Sequence, residues 1–301
     1  MRPHELDAAG ILDPTLRASY RACRALNAEH GRTYYLATLL LPAAKRPAVH
    51  ALYAFARYAD DLVDTLDPAV TAAARERALD DWARRFERGD IDDALLPAVH
   101  DTIARYDLSL SLFTDFLDSM RMDVATSSYP TWTDLLRYIH GSAAVIGEQL
   151  LPVLGTTPGM RTVATPYARD LGAAFQLANF IRDVGEDLRR HRLYLPVEDL
   201  EAFGVTRGDL GSGVVDGRIR RLLAFEIARA RELFRTAEQG IRLLEPSSRD
   251  CVRTAFTLYG GILDAVERAD YRVLDRRVAV GPARRAAVAL PALVRARRAR
   301  H

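Results

Sequence analysis

Two acidic strings are the places in this sequence where residue type and spacing point to chemistry. The first runs Tyr53-Ala-Phe-Ala-Arg57-Tyr58-Ala-Asp60-Asp61-Leu-Val-Asp64. On a helix each residue turns about 100°, so Tyr53, Arg57, Asp60 and Asp64 share one stripe, with Asp61 on its flank. Carboxylates one turn apart repel each other and disfavour the helix, and a cation relieves them. Hard oxygen ligands suit Mg²⁺, which takes one or two carboxylates plus substrate phosphates rather than a complete protein cage; Mn²⁺ is the substitute ion. Arg57 adds a bidentate donor for phosphate. Taken alone, this string also reads as a solvated acidic face near a helix end.

The second string is Gln176-Leu-Ala-Asn179-Phe-Ile-Arg182-Asp183-Val-Gly-Glu186-Asp187, followed by Leu-Arg-Arg-His-Arg192-Leu-Tyr194-Leu-Pro196. Asn179, Asp183 and Asp187 recur at i, i+4 and i+8, with Gln176 beside them and Glu186 off the stripe. The stripe interrupts a helix whose earlier part, Leu171 to Leu177, is apolar, and oxygen-bearing side chains inside a partly buried helix are hard to explain as surface. Two such stripes predict facing helices across a cavity, where bound metal would hold a diphosphate and stabilise the charge that it develops on leaving.

The elements that must carry these stripes read as helix after helix. Ala, Leu, Arg and Glu dominate, apolar residues recur every three or four positions, and strand-like alternation is scarce. The pattern predicts helices over Thr15 to Glu29, Pro47 to Asp64, Ala69 to Arg88, Ser109 to Val124, Thr131 to Leu154, Pro166 to Arg190, Arg218 to Leu244, Ser248 to Leu274 and Pro282 to Ala299. Breaks fall at Asp67-Pro68, Tyr129-Pro130, Thr157-Pro158-Gly159 and Glu245-Pro246. No linker or fixed-period repeat divides the chain, so residues 1–301 read as one all-α domain with a basic tail at about 292–301.

Composition narrows the class. Of 301 residues, 49% are hydrophobic and the formal charge is only +2, which suits a globular chain with a substantial core. The longest apolar runs are too short to span a bilayer, and Met1 to Gly10 lacks the apolar core of a signal peptide. A cytoplasmic protein is the expectation. Cys23 and Cys251 have no metal-ligand spacing and read as reduced thiols. The basic residues are arginine except for Lys45. They are spread along helices or gathered at the C-terminus, which gives no nucleic-acid module. The Gly211-Ser212-Gly213 segment follows no strand and fails as a nucleotide loop.

At the two acidic strings the chain resembles the squalene/phytoene synthase family, over about His30 to about Arg285. Further matching stretches are Tyr34-Tyr35-Leu-Ala-Thr, Arg121-Met-Asp123, Gly141 to Gly147, and Tyr259 leading into Ile262-Leu-Asp. The resemblance implies an isoprenoid-synthase helical bundle with a central cavity, and prenyl diphosphates as substrates. It implies that Asp60, Asp64, Asn179, Asp183 and Asp187 bind Mg²⁺, with the four aspartates catalytic. It further implies that His30, Arg32, Thr33, Tyr53, Arg57, Gln176, Arg182, Tyr259 and Arg277 contact substrate. The expected reaction is head-to-head condensation of two geranylgeranyl diphosphates to phytoene through prephytoene diphosphate. The alternative is a squalene- or dehydrosqualene-type synthase using farnesyl diphosphate; only the squalene type would call for NADPH. A non-catalytic helical scaffold would show damage to one acidic string, and both are intact. A terpene cyclase would carry a different second metal motif. His140 departs from the aromatic hydroxyl that relatives often carry, and reads either as a hydrogen-bonded core histidine or as a catalytic group. Arg284, Arg285, Arg295, Arg297, Arg298 and Arg300, interleaved with apolar residues, suggest peripheral contact with the anionic inner face of a membrane; a solvated, frayed terminus is the plain alternative. The sequence leaves the oligomeric state open.

Overall fold

The computed structural model describes residues 3–65, 67 and 69–298; the side chains of Pro3, Arg32, Pro282, Arg297 and Arg298 lie outside the described set. The helices are α1 (Pro3–Ala8), α2 (Pro14–His30), α3 (Arg32–Thr38), α4 (Arg46–Asp64), α5 (Ala72–Glu87), α6 (Leu96–Tyr106), α7 (Ser111–Ala125), α8 (Trp132–Ile139), α9 (Val145–Leu154), α10 (Arg161–Arg189), α11 (Val197–Ala202), α12 (Arg207–Gly211), α13 (Gly217–Ile241), α14 (Pro246–Arg268) and α15 (Pro282–Arg298). A 3₁₀ turn (Ala43–Lys45) leads into α4, and a π turn (His140–Ala144) joins α8 to α9. Among the described residues there is no strand, only isolated bridges at Ser128–Leu193 and Thr156–Leu244.

Local chemistry sets the helix starts. Asp13 accepts the Leu16 amide at 2.8 Å, with Pro14 in the first turn. Thr131 and Asp134 form a reciprocal capping box, and Asp216 receives the amides of Arg218 and Ile219. All nine predicted helices appear, with two corrections. The run Thr131 to Leu154 is interrupted by the π turn. The helix expected to reach Leu274 stops at Arg268, because Asp270 and Tyr271 adopt positive φ angles of 54° and 59°.

The apolar faces gather into two main cores. One is built on α10, α13 and α14 and includes Leu177, Ile181, Leu223, Leu258 and Val266. The other is built on α2, α4, α6 and α7 and includes Leu52, Phe55, Val99 and Phe113. The stripes of α4 and α10 sit where these cores face each other. Helix α10 comes very close to the π turn at Gly172, where a Cβ would lie 2.3 Å from the Ala143 carbonyl oxygen; only glycine fits there.

Candidate active site

A cavity of about 820 Å³ runs between the two cores. Along α4 its lining extends from Val49 to Asp64, a rise of roughly 22 Å at 1.5 Å per residue. One end is charged. Asp60, Asp61, Asp64, Asp123, Asp183, Glu186 and Asp187 face Arg57, Arg182, Arg190, Arg192 and Arg277 there, which leaves an excess of two negative charges if all are ionised. The rest is mostly apolar or aromatic, with a few neutral polar side chains such as Asn27, Thr38 and Ser142.

The two acidic strings meet across this end. Asp64 on α4 is held by Arg190 Nη1 at 3.1 Å and by a tight bond from Arg192 Nη1, both from the end of the second string. Asp183 is gripped by Arg182 Nε at 2.8 Å and by Arg277 Nε at 2.9 Å, and Arg277 also lies 3.7 Å from Glu186. Arg57 bonds both Asp60, at 3.2 Å, and Asp61. Behind them, Tyr138 and Tyr194 donate to the two oxygens of Asp123 at 2.6 and 2.8 Å.

Crowding and burial raise the carboxyl pKa values. Asp60 is held above the usual carboxylate range by burial and then by Asp64. Its side chain is 38% exposed, but to the cavity, which solvates a charge poorly. Burial pushes Asp123 up to about 6, although Arg192 and the two phenols pull the other way. Asp187 goes up to about 8 through burial, then the charges of Asp183 and Glu186. Among the described residues the Asp187 carboxylate makes no hydrogen bond or ion pair, and Asn179 Oδ1 is buried without a partner. Both are oxygen donors that a cation would satisfy. No three histidine, cysteine or carboxylate residues of the described set converge into a closed metal cage.

Of the residues expected to contact substrate, Tyr53, Arg57, Gln176, Arg182 and Arg277 line the cavity with the four aspartates and Asn179. Tyr259 does not line the cavity; its ring packs against two residues that do, stacked on Phe175 at 4.2 Å and 5.2 Å from Tyr34. His30 is exposed at the end of α2, 3.7 Å from Glu29, and Thr33 is half-buried; neither lines the cavity. The Arg32 side chain lies outside the described residues, as do residues 299–301 of the basic tail. His140 is neither a core histidine nor part of this cavity: its side chain is half exposed, 3.7 Å from Asp115 on the outer face of α7. Tyr138 supplies the inward hydroxyl, and His140, two residues on and about 200° round the helix, faces away from it. Sequence reasoning passed over Arg190 and Arg192 as site residues. The signal was the arginine-rich run directly after Asp187.

The comparisons with known proteins bear on this geometry. The sequence model for "Squalene/phytoene synthase" matches residues 27–284. The chain belongs to the squalene/phytoene synthase family. It is 40% identical over 298 residues to 15-cis-phytoene synthase of Synechococcus elongatus, covering 94% of each chain. It is 39% identical to phytoene synthase of Arthrospira platensis, covering 87% of this chain and 88% of that one. Among solved structures, a dehydrosqualene synthase in complex with ligand superposes with a TM-score of 0.84 at 25% identity, covering 94% of this chain and 98% of that one. A squalene synthase from Alicyclobacillus acidocaldarius gives 0.77 at 29% identity, covering 88% and 98%. Family members with different products thus share this helical frame.

Proposed function

We propose that this enzyme condenses two molecules of geranylgeranyl diphosphate head to head into phytoene, through prephytoene diphosphate. The observation that carries the reading is the joining of α4, at Asp64, to Arg190 and Arg192 just after α10, which makes one charged end out of both acidic strings, next to a largely apolar chamber. In that reading Asp60 and Asp64 from one helix, and Asn179, Asp183 and Asp187 from the other, hold Mg²⁺. The ion supplies Lewis-acid stabilisation of the leaving diphosphate. Arg57, Arg182, Arg190, Arg192 and Arg277 exchange their carboxylate partners for phosphate oxygens, with Gln176 and Tyr53 at the rim of the same pocket.

The chain's apolar residues do the rest by exclusion. Ionisation of the first substrate leaves an allylic cation. The double bond of the second attacks it, and proton loss closes a cyclopropane. A second ionisation, rearrangement and proton loss give the central double bond. Water would trap either cation, so the lining by Leu, Val and Phe side chains is essential. The faces of Tyr34, Tyr53 and Phe175 can stabilise positive charge passing over them. No step consumes a reductant.

The test is incubation of purified protein with Mg²⁺ and geranylgeranyl or farnesyl diphosphate, with and without NADPH, and identification of the hydrocarbon. Phytoene from the C20 substrate without NADPH is expected. Squalene from the C15 substrate, or no hydrocarbon from either, overturns the reading.

Greasy substrates and products also suit a membrane surface. Among the described residues no helix is long and apolar enough to cross a membrane. On α15, Leu290 and Val294 are exposed one turn apart, with Arg285 and Arg295 on the same helix. Peripheral contact from the cytoplasmic side is the corresponding proposal. Flotation with anionic vesicles should fall when residues after Pro291 are removed; unchanged flotation refutes it.

A further inference from the structure

The far end of the chamber is closed by a different device. Lys45, the only lysine of the chain, ends the 3₁₀ turn at the foot of α4. Its ammonium reaches the Leu154 carbonyl oxygen at 2.5 Å, Glu245 Oε2 at 2.6 Å and Ser248 Oγ at 3.2 Å. Three N–H donors meet three acceptors, so the group is fully used. These acceptors belong to the last residue of α9, the residue before α14, and the first turn of α14. Ser248 Oγ also donates to the Leu154 carbonyl at 2.5 Å, and the Glu245 amide donates to the Gly155 carbonyl at 3.0 Å. Gly155 has φ 73°, and a Cβ there would lie 2.4 Å from Glu245 Oε1. The knot is built for a close fit.

What the knot holds is the cavity floor. Leu151, Ala164, Ile241, Leu244 and Val252 line the chamber and form a small apolar cluster of their own, separate from the two main cores. They stand at or near the ends of α9, α10, α13 and α14, where helices open most easily. From Lys45 to Asp64 is 19 residues of rise, roughly 28 Å, so the floor is the wall opposite the carboxylates. A diphosphate anchored at the charged end would point its chain at this floor.

We propose that Lys45 is a specificity-determining positioning residue: it ties the floor to the foot of α4, and so fixes the longest prenyl chain that the chamber admits. This rests on the reading of the cavity as a prenyl diphosphate site. Lys45 touches no reacting atom. Its neutral replacement should let the α9 end and the α13–α14 turn move outward without altering the charged end.

The experiment compares wild type, Lys45→Met, Lys45→Arg and Glu245→Gln with C20 and C25 prenyl diphosphates in Mg²⁺. It measures kcat/KM for each, and calorimetric binding of the unreactive C20 and C25 thiolodiphosphates. Lys45→Met should raise the C25:C20 ratio at least tenfold, Glu245→Gln should raise it in the same direction, and Lys45→Arg should stay within threefold of wild type. A folded Lys45→Met with an unchanged ratio overturns the proposal. Should that variant not fold, an unchanged ratio in Glu245→Gln overturns it. A general loss of stability would lower both substrates together and leave the ratio fixed. If wild type binds the analogues but makes no hydrocarbon, the functional reading fails, and the binding ratio alone decides this inference. If wild type binds neither analogue, both fall.

Discussion

Replacing Asp187 by Asn should stabilise the metal-free protein at alkaline pH while impairing the enzyme. The carboxyl is pushed from 3.8 up to about 8 by burial and by the charges of Asp183 and Glu186. A folded-state pKa above the unfolded one means that the fold prefers the protonated acid. That preference is intact below about pH 4 and is lost as pH rises towards 8. At 1.36 kcal/mol per pKa unit the ceiling is roughly 6 kcal/mol. Screening by the cavity water and the nearby arginines reduces this to about 1–2 kcal/mol, which is roughly 2–6 °C in melting temperature for a chain of this size. The assay is thermal unfolding in EDTA from pH 5 to 8.5. The gap between wild type and Asp187→Asn should be smallest at pH 5, where the folded side chains are both neutral and only the unfolded wild-type carboxyl is ionised, and should widen in the variant's favour up to pH 8.5. Mg²⁺ with inorganic diphosphate should then raise the wild type more than the variant, because ligand binding to the native state stabilises it. A pH-independent difference, or a variant less stable at pH 8.5, would refute the reasoning.

Other residues make separate predictions. Asp183→Asn should cut turnover at least 100-fold, on the scale of losing a transition-state charge stabiliser, with unchanged far-ultraviolet circular dichroism; near-normal turnover contradicts its role. Tyr194→Phe removes the donor to Asp123 Oδ1 and should cost about 1–3 kcal/mol in denaturant unfolding. Gly172→Ala drives a methyl into the Ala143 carbonyl and should destabilise by at least about 1–3 kcal/mol; wild-type stability would show that the α10 contact is looser than described.

Much of this site was legible because helical periodicity is strict. Residues at i, i+4 and i+8 must share a stripe, so Asn179, Asp183 and Asp187 could be grouped without coordinates. The helices that escaped notice, α3 and α6 among them, are short. Helix α6 is started by Asp93, whose carboxylate takes the Leu95 and Leu96 amides at 2.6 and 2.9 Å, a cue buried in a run of aspartates. His140 was misjudged because Tyr138 is the inward residue of that turn, and at about 100° per residue a position two later falls on the opposite side of the helix. Arg190 and Arg192 were overlooked because ion pairs between α4 and the end of α10 depend on tertiary placement. The same holds for Lys45, whose partners Leu154, Glu245 and Ser248 lie more than 100 residues away in sequence.

Anomalous diffraction from crystals grown with Mn²⁺ and an unreactive C20 thiolodiphosphate tests the central claim most directly. Manganese peaks should lie between the two helices, within coordination distance of Asp60 or Asp64 on one side and of Asn179, Asp183 or Asp187 on the other, with diphosphate oxygens between them. Metal bound elsewhere, or a diphosphate seated away from both aspartate stripes, would contradict the account.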